Sequence, residues 1–291
     1  MNKWVKKSID LASSDKYLDN LTKIYPVDLT LPRKIELEQK EKIRKIFKTR
    51  NKKNLISVLL ELKRFPIDDP YIAFLRKDRK ALDKNPKTIQ RIGKKLYSMS
   101  LKEIFIGASR PKAPSRQLGQ MFKKWLSTLG YPVLARDNFL KYKNIAMLDG
   151  GDTTLKKFAK EELGYRGQKG LDMVLRIKDR FIIGEAKFIT ASGGTQDKGF
   201  RETIALIKSK GKKALRIAIL DGVVWLASKK KMKKQRKLTL YETVTRLDKR
   251  QIALSALLLK NFIKELSRKN RQNNYEHRRI IKRSNSIKEA N

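Results

Sequence analysis

The 291-residue sequence contains no cysteine and a single histidine. The lack of cysteine excludes disulfide bonds, thiolate zinc sites and cysteine nucleophiles. His277 lies alone in a polar C-terminal stretch, which argues against a Ser-His-Asp hydrolase or a metal site with several histidines. Cysteine-free composition also fits a reducing compartment, and we expect a cytoplasmic protein.

Long apolar runs are also missing. No stretch approaches the length needed to cross a bilayer, and the first residues, MNKWVKKSIDLASS, lack the apolar segment of a secretory signal peptide. We therefore expect no membrane association. Hydrophobic residues nevertheless make up 40% of the chain, which is enough for one large domain or for a domain with an appended lobe.

Negative charge is scarce. Lysine and arginine number 71 against 29 acidic residues, which gives a formal charge of +42. A compact protein of this charge repels itself unless a polyanion or counterions screen it. Nucleic acid is the usual partner, because each neutralised phosphate releases condensed counterions. An AT-rich coding bias, an anionic membrane and an RNA scaffold are the alternative explanations of the excess lysine.

The spacing of apolar residues divides the chain into three parts. Residues 34–65 show helical spacing, which predicts a mostly helical N-terminal lobe over residues 1–108. The Gly-, Pro- and Ser-rich stretch GASRPKAPS at 107–115 marks the boundary of a core over residues 109–268. The basic residues 269–291 are predicted to form a C-terminal arm that is either disordered or helical on DNA.

The most regular pattern lies in the second half of the chain. Two strand patterns at 170–177 and 181–189 are joined by a short turn, which predicts a β-hairpin. A helix pattern at 195–210 and a strand pattern at 214–220 follow, so the second and third strands should pair in parallel through a crossover. The prediction is an α/β fold with a mixed sheet.

Three further expectations concern the end of this core. Asp221-Gly222 is typical of a hairpin turn and predicts another strand at 223–228. Residues 238–268 are predicted to be helical. The segment KKKMKKQRK at 229–237 is either a solvated loop or a loop that contacts phosphates.

The predicted hairpin places acidic and basic side chains together. Pairing through the turn brings Asp172 opposite residues 185–187, and Glu185 and Lys187 share one face because they are two residues apart. Ala186 should point into the core and leave its carbonyl free as a further ligand. Two carboxylates and a cation are what Mg²⁺-assisted hydrolysis of a phosphodiester requires, because Mg²⁺ takes oxygen ligands and keeps several waters.

This pattern resembles the motif of the PD-(D/E)XK nuclease superfamily, as found in type II restriction endonucleases. Asp172 is followed, after twelve residues, by Glu185-Ala186-Lys187, with Leu171 in place of the motif's proline. The resemblance implies a restriction-endonuclease-like mixed sheet flanked by helices, Mg²⁺ held by Asp172 and Glu185, and Lys187 positioning the attacking water. It further implies a homodimer in a restriction system that cuts double-stranded DNA and leaves 5′-phosphates.

Other tripeptides of the same form limit the weight of Glu185-Ala186-Lys187 alone. Glu38-Gln39-Lys40, Glu61-Leu62-Lys63 and Asp78-Arg79-Lys80 also fit it, but they lie in helical patterns with no acidic strand before them. The alternative for the hairpin itself is a surface ion pair between Glu185 and Lys187.

Several polar residues are further candidates. Gln196 follows Gly193-Gly194; it could assist the water or contact a phosphate, or it could simply begin a helix. Asp149 and Asp152 are either additional acids near the metal or parts of a turn and helix cap. The candidates for contacts with base edges or phosphates are Arg110, Lys112, Arg116 and Gln117.

Three functions agree with the sequence. The first is a site-specific, metal-dependent endonuclease. The second is a structure-specific or repair nuclease that shares the same core. The third is a basic nucleic-acid-binding protein without catalytic activity.

Overall fold

The structure, a computed structural model, describes residues 1–26, 32–111, 117–191, 193–209, 211, 213–227 and 238–268. The chain divides into two compact units. We call Met1–Val27 with Ser115–Asn291 the sheet unit, and Asp28–Pro114 the helical unit.

The described residues form helices in both units. They are α1 (Lys3–Ala12), α2 (Tyr17–Leu21), α3 (Leu37–Lys48), α4 (Lys52–Leu60), α5 (Ile72–Lys77), α6 (Ala81–Lys84), α7 (Pro86–Tyr97), α8 (Leu101–Ser109), α9 (Leu118–Ser127), α10 (Arg136–Lys141), α11 (Asp152–Leu163), α12 (Gly194–Lys208) and α13 (Leu240–Thr245). Residues 259–268 are also helical.

The strands of the described residues all lie in the sheet unit. They are β1 (Val133–Leu134), β2 (Ile145–Leu148), β3 (Met173–Ile177), β4 (Arg180–Ile189), β5 (Ala214–Gly222) and β6 (Ile252–Leu254).

The helical unit is built from α3 to α8 around its own apolar core. Leu55 and Leu59 of α4 and Ile92 and Leu96 of α7 are fully buried in it. The helical pattern predicted over residues 34–65 is interrupted between α3 and α4, because Arg50 has a positive φ of 57°. Asn51 then caps α4 by accepting the backbone N–H of Asn54.

The described residues form one sheet of six strands in the order β1-β2-β3-β4-β5-β6. β3 pairs with β2 and with β4 in antiparallel fashion, while β4 with β5 and β5 with β6 are parallel. The predicted hairpin of β3 and β4 and the parallel pairing of β4 with β5 through α12 are confirmed. The predicted α/β class with a mixed sheet is also confirmed.

The predicted hairpin turn at Asp221-Gly222 is wrong. Both residues belong to β5, opposite Phe188 and Ile189 of β4, and residues 223–225 form a 3₁₀ turn instead of a strand. An Asp-Gly pair favours a turn when its polar groups face water, but the Asp221 carboxylate is buried among hydroxyl donors from other segments.

Residues 238–268 are only partly helical. The short strand β6 interrupts them and pairs with β5 from Ile217 to Ile219. All three β6 residues are buried. A run of three apolar residues carries no period of its own, so the sequence pattern does not distinguish it from helix.

The predicted N-terminal lobe of residues 1–108 is not one unit. Trp4 and Val5 of α1, with Tyr17 and Leu21 of α2, are buried in the core that also contains the sheet's β3, β4 and β5 side chains. The first 27 residues therefore belong to the sheet unit, because the apolar face of α1 and α2 finds its partners there. The predicted arm at 269–291 lies outside the described residues.

Candidate active site

The site begins where β3 and β4 stop pairing. The last paired residues at that end are Met173 and Gly184. One residue further, the backbone N–H of Asp172 donates to the Gly184 carbonyl at 3.0 Å, and the Asp172 carboxylate accepts the Ala186 N–H at 2.9 Å. These two bonds fix Asp172 beside the strand that carries Glu185 and Lys187.

Asp172, Glu185 and Lys187 converge at this point. The Lys187 Nζ lies 3.0 Å from Glu185 Oε1 and 3.8 Å from Asp172 Oδ2. The Glu185 side chain is 2% exposed, that of Asp172 13% and that of Lys187 30%. The two carboxylates are thus the more buried groups and the Lys187 ammonium is the more exposed one. Glu185 and Lys187 lie on the same face of the strand, as their two-residue spacing predicts.

Ala186 differs from the expectation. Its carbonyl is not free, because it accepts the Lys187 Nζ at 3.0 Å. Its side chain is half-buried against the core. A ligand at this carbonyl would therefore share it with the lysine or displace the lysine from it.

Burial shapes the electrostatics of Asp172. It raises the pKa of Asp172, while the Lys187 ammonium and the Ala186 N–H lower this pKa and the Glu185 and Asp152 carboxylates raise it further. The net shift is upward, so this carboxyl favours its neutral form more than a solvated aspartate does. A cation placed against Asp172 would favour the charged form.

A second lysine reaches the same site, and the sequence patterns gave no sign of it. Lys169 Nζ lies 2.5 Å from Glu185 Oε1 and 2.8 Å from Oε2 of Glu202 on α12. Burial lowers the pKa of Lys169, but the two carboxylates outweigh burial and leave this pKa raised. Lys169 precedes the motif aspartate by three residues and Glu202 lies on the crossover helix, so only the fold reveals that they meet.

The donor set fits a small divalent cation. Glu185 Oε1 is buried and, although two ammonium groups approach it, makes no hydrogen bond of ordinary geometry. Within the described ranges no group of three or more His, Cys, Asp or Glu side chains is placed to hold a metal. Mg²⁺ commonly binds proteins through one or two carboxylates, with waters and substrate phosphates completing its shell, and Asp172 and Glu185 supply that number.

The hydrogen bonds of the Gln196 side chain go to Thr190 and Ala191. Its side-chain carbonyl accepts the N–H groups of Thr190 and Ala191 at 2.8 and 3.2 Å, and its amide donates to the Thr190 hydroxyl at 2.6 Å. All three bonds tie the start of α12 to the end of β4. This placement matches the helix-start interpretation of Gln196.

Asp149 and Asp152 both lie near Asp172. Asp149 and Asp172 line one cavity of about 180 Å³ between α9 and β2–β3. Asp152 is the first residue of α11, makes no side-chain cap, and forms an ion pair with Lys123 of α9. Asp152 is therefore neutralised by a lysine, and the predicted cap is absent.

The predicted DNA-contacting residues are distributed over two segments. Arg110 follows α8 as its C-terminal flanking residue, and Gln117 precedes α9. Lys112, Arg116 and the basic segment 229–237 lie outside the described residues. Among the described helices, none combines the length and apolar character needed to cross a membrane.

A mixed sheet flanked by helices, with an aspartate and a Glu-x-Lys pair meeting at the end of a hairpin, defines a restriction-endonuclease-like nuclease. The family model for the Tsp45I type II restriction enzyme matches residues 2–266. The chain belongs to this family and is a site-specific deoxyribonuclease. Searches of curated proteins and of solved structures gave no significant match.

Proposed function

We propose that this protein is a Mg²⁺-dependent endonuclease that hydrolyses both strands of double-stranded DNA at one sequence and leaves 5′-phosphates. The observation that carries the proposal is that the carboxylates of Asp172 and Glu185 both lie within 3.8 Å of the Lys187 ammonium nitrogen. Family membership supports sequence-specific DNA cleavage. The metal, the products and the residue roles are our inference.

Asp172 and Glu185 would hold the divalent ion. When bound, Mg²⁺ supplies positive charge against the phosphodiester and Lewis acidity for the hydrolysis. The Asp172 side chain is fixed by the Ala186 N–H, so its second oxygen is available to a ligand. Glu185 is only 2% exposed, and a bound cation would compensate the free-energy cost of burying its negative charge.

Lys187 would orient the attacking water. Its ammonium has three N–H donors and lies at the exposed side of the acidic pair, where a phosphate and a water can approach. The water oxygen bonds to phosphorus and its proton passes to solvent. The bond from phosphorus to the 3′-oxygen breaks, this oxygen takes a proton from solvent and leaves as the 3′-hydroxyl, and the phosphate stays on the 5′ side. The positive charge of Lys187 also stabilises the charge that develops on the phosphoryl oxygens.

Arg110, Lys112, Arg116 and Gln117 remain our candidates for DNA contacts, and a homodimer remains our proposal for the active form. Two copies related by a two-fold axis would place one site on each strand of a symmetric sequence. The homodimer is testable by sedimentation of the purified protein with and without a cognate duplex.

The direct test is digestion of phage DNA by the purified protein with Mg²⁺, followed by sequencing of the ends. We expect discrete fragments that share one sequence at their ends and that ligate without added kinase, because the 5′-phosphates are retained. EDTA should abolish the fragments. A smear would indicate a nuclease without sequence specificity, and cleavage only of branched DNA would indicate a structure-specific enzyme.

A further inference from the structure

Lys169 links Glu185 of the candidate metal site to Glu202 of α12. It contacts Glu185 Oε1 at 2.5 Å on one side and Glu202 Oε2 at 2.8 Å on the other. The two partners differ in environment, because the Glu185 side chain is 2% exposed and the Glu202 side chain is 41% exposed. One ammonium is thus shared between a buried carboxylate of the site and a surface carboxylate of α12.

Glu185 needs a positive neighbour when no other cation is present. A buried carboxylate without compensation is costly, and Lys169 and Lys187 both approach its Oε1. Lys187 also contacts Asp172 and the Ala186 carbonyl. Lys169 therefore provides the charge compensation directed at Glu185 from the α12 side.

We propose that Lys169 is an internal counter-cation that competes with the divalent ion for Glu185, and that Glu202 retains the Lys169 ammonium when the ion binds. The inference rests on the proposed function, since it assigns Glu185 to the metal. It makes Lys169 a positioning residue that sets how much Mg²⁺ the enzyme requires.

The surroundings of Lys169 allow this exchange. Lys169, Glu185 and Glu202 line one open cavity of about 430 Å³. The ammonium can therefore move from Glu185 toward Glu202 without repacking the core. A purely structural ion pair would need no such space and no second acceptor.

Replacing Lys169 by methionine tests the competition, because methionine keeps the apolar stem and removes the charge. We expect Lys169→Met to lower the Mg²⁺ concentration at half-saturation about tenfold, since loss of a competitor worth about 1.4 kcal/mol changes a binding constant by that factor. The measurement is the rise of the thermal unfolding midpoint with Mg²⁺ at pH 8, on the full-length protein without DNA. The Mg²⁺ dependence of cleavage gives a second value.

Two further variants make the result decisive. In Glu202→Gln the ammonium loses its alternative partner and stays on Glu185, so Mg²⁺ should bind more weakly, opposite to Lys169→Met. Lys156→Met is the matched control, because Lys156 of α11 donates to the carbonyl of Gln168, the neighbour of Lys169, and has no carboxylate partner within the described part of the chain. The Mg²⁺ affinity of this variant should equal that of the wild type.

Unchanged or weaker Mg²⁺ binding in Lys169→Met would overturn the inference, as would a change of the same sign in Glu202→Gln. If Lys169→Met does not fold, Glu202→Gln decides alone, because its side chain is exposed. Failure of the proposed function has a different signature, namely no Mg²⁺-dependent cleavage by the wild-type protein under any condition.

Discussion

At the scale of single residues, position on the strand decides the role of each charged group. Glu185 and Lys187 lie on either side of Ala186 in β4, so their side chains are on the same face of the sheet. The Asp172 carboxylate lies next to this face. A Cβ placed on Gly199 of α12 would lie 3.8 Å from the Lys187 stem, an ordinary van der Waals distance, so α12 packs alongside this side chain. The geometry of the site thus follows from a two-residue period and a hairpin register.

Gln196 provides a prediction at this scale. Its amide bridges the end of β4 to α12, so we expect Gln196→Ala to destabilise the protein by about 1 kcal/mol and to slow cleavage less than tenfold. Thr190→Ala removes one partner of the same bridge and should cause a similar, non-additive loss of stability. The measurements are urea unfolding and single-turnover cleavage.

A different result for Gln196→Ala would contradict this structural role. A hundredfold slower reaction of Gln196→Ala with unchanged stability would assign its side chain to the chemistry, as the sequence alone allowed. In that case Thr190→Ala would leave the rate at the wild-type level.

At the scale of secondary-structure elements, the buried Asp221 joins three segments of the sheet unit. Its carboxylate at the end of β5 accepts hydrogen bonds from the hydroxyls of Tyr17, Tyr25 and Ser255 at 3.3, 3.0 and 2.5 Å, and from the Ala256 N–H. The two tyrosine contacts span 204 and 196 positions of the chain, and the Ser255 contact spans 34. Asp221 therefore holds the N-terminal segment and the end of β6 to the sheet.

Burial raises the pKa of Asp221 to about 6, although its hydrogen bonds lower this pKa. The folded state then binds the proton more tightly than the unfolded state, so the free energy of unfolding falls as pH rises from about 4 to about 6 and is level above that range. Relative to Asp221→Asn, the wild-type protein should lose roughly 3 kcal/mol of stability across this interval. Urea unfolding of both proteins at several pH values measures the difference.

Parallel stability curves for the wild type and Asp221→Asn between pH 4 and pH 7 would contradict this account. They would mean that the hydroxyl donors compensate burial fully and that the carboxylate stays charged. A minimum in the wild-type curve would point to another titrating group.

The elements that the sequence predicted and those that it missed differ in one physical respect. The β3–β4 hairpin, α12 and β5 carry their signal locally, in the alternation and length of apolar runs. Asp221-Gly222 and β6 depend on partners that are distant in sequence: Gly222, with φ of 88°, packs against the Ile189 carbonyl, and β6 exists because β5 offers its edge. Local preference for a turn or a helix loses to such contacts.

The same distinction holds for the site. Asp172, Glu185 and Lys187 are recognisable because a hairpin fixes their distance in sequence. Lys169 and Glu202 meet Glu185 only through the folding of α12 over the sheet, and no spacing encodes that contact. The sequence also left open whether Gln196 contacts the reacting groups or only begins a helix, because its hydrogen-bond partners are set by how α12 folds against the sheet.

At the scale of the whole molecule, positive charge is spread over both units. Residues 28–114 contain 24 lysines and arginines and 10 acidic residues, a net charge of +14 out of +42. The sheet unit carries the remainder. A polyanion such as DNA can therefore interact with basic residues of either unit, and phosphate contacts should dominate affinity.

This predicts a steep dependence of DNA binding on salt. If the protein neutralises at least six phosphates, its affinity for a cognate duplex should fall roughly 10³-fold or more between 50 and 200 mM salt. Binding is measured by fluorescence anisotropy in EDTA, which prevents cleavage. A loss of less than tenfold would show that most of the positive charge lies away from the DNA.

The central claim, that Asp172, Glu185 and Lys187 perform the hydrolysis, is tested most directly by single-turnover cleavage of a cognate duplex by Asp172→Asn, Glu185→Gln and Lys187→Ala. Lys63→Ala, in the tripeptide Glu61-Leu62-Lys63 of the helical unit, is the control. We predict that the three site variants bind the duplex within about tenfold of the wild type but cleave it at least about 10³-fold more slowly, while the control cleaves normally. Cleavage by any of the three at the wild-type rate would contradict the account.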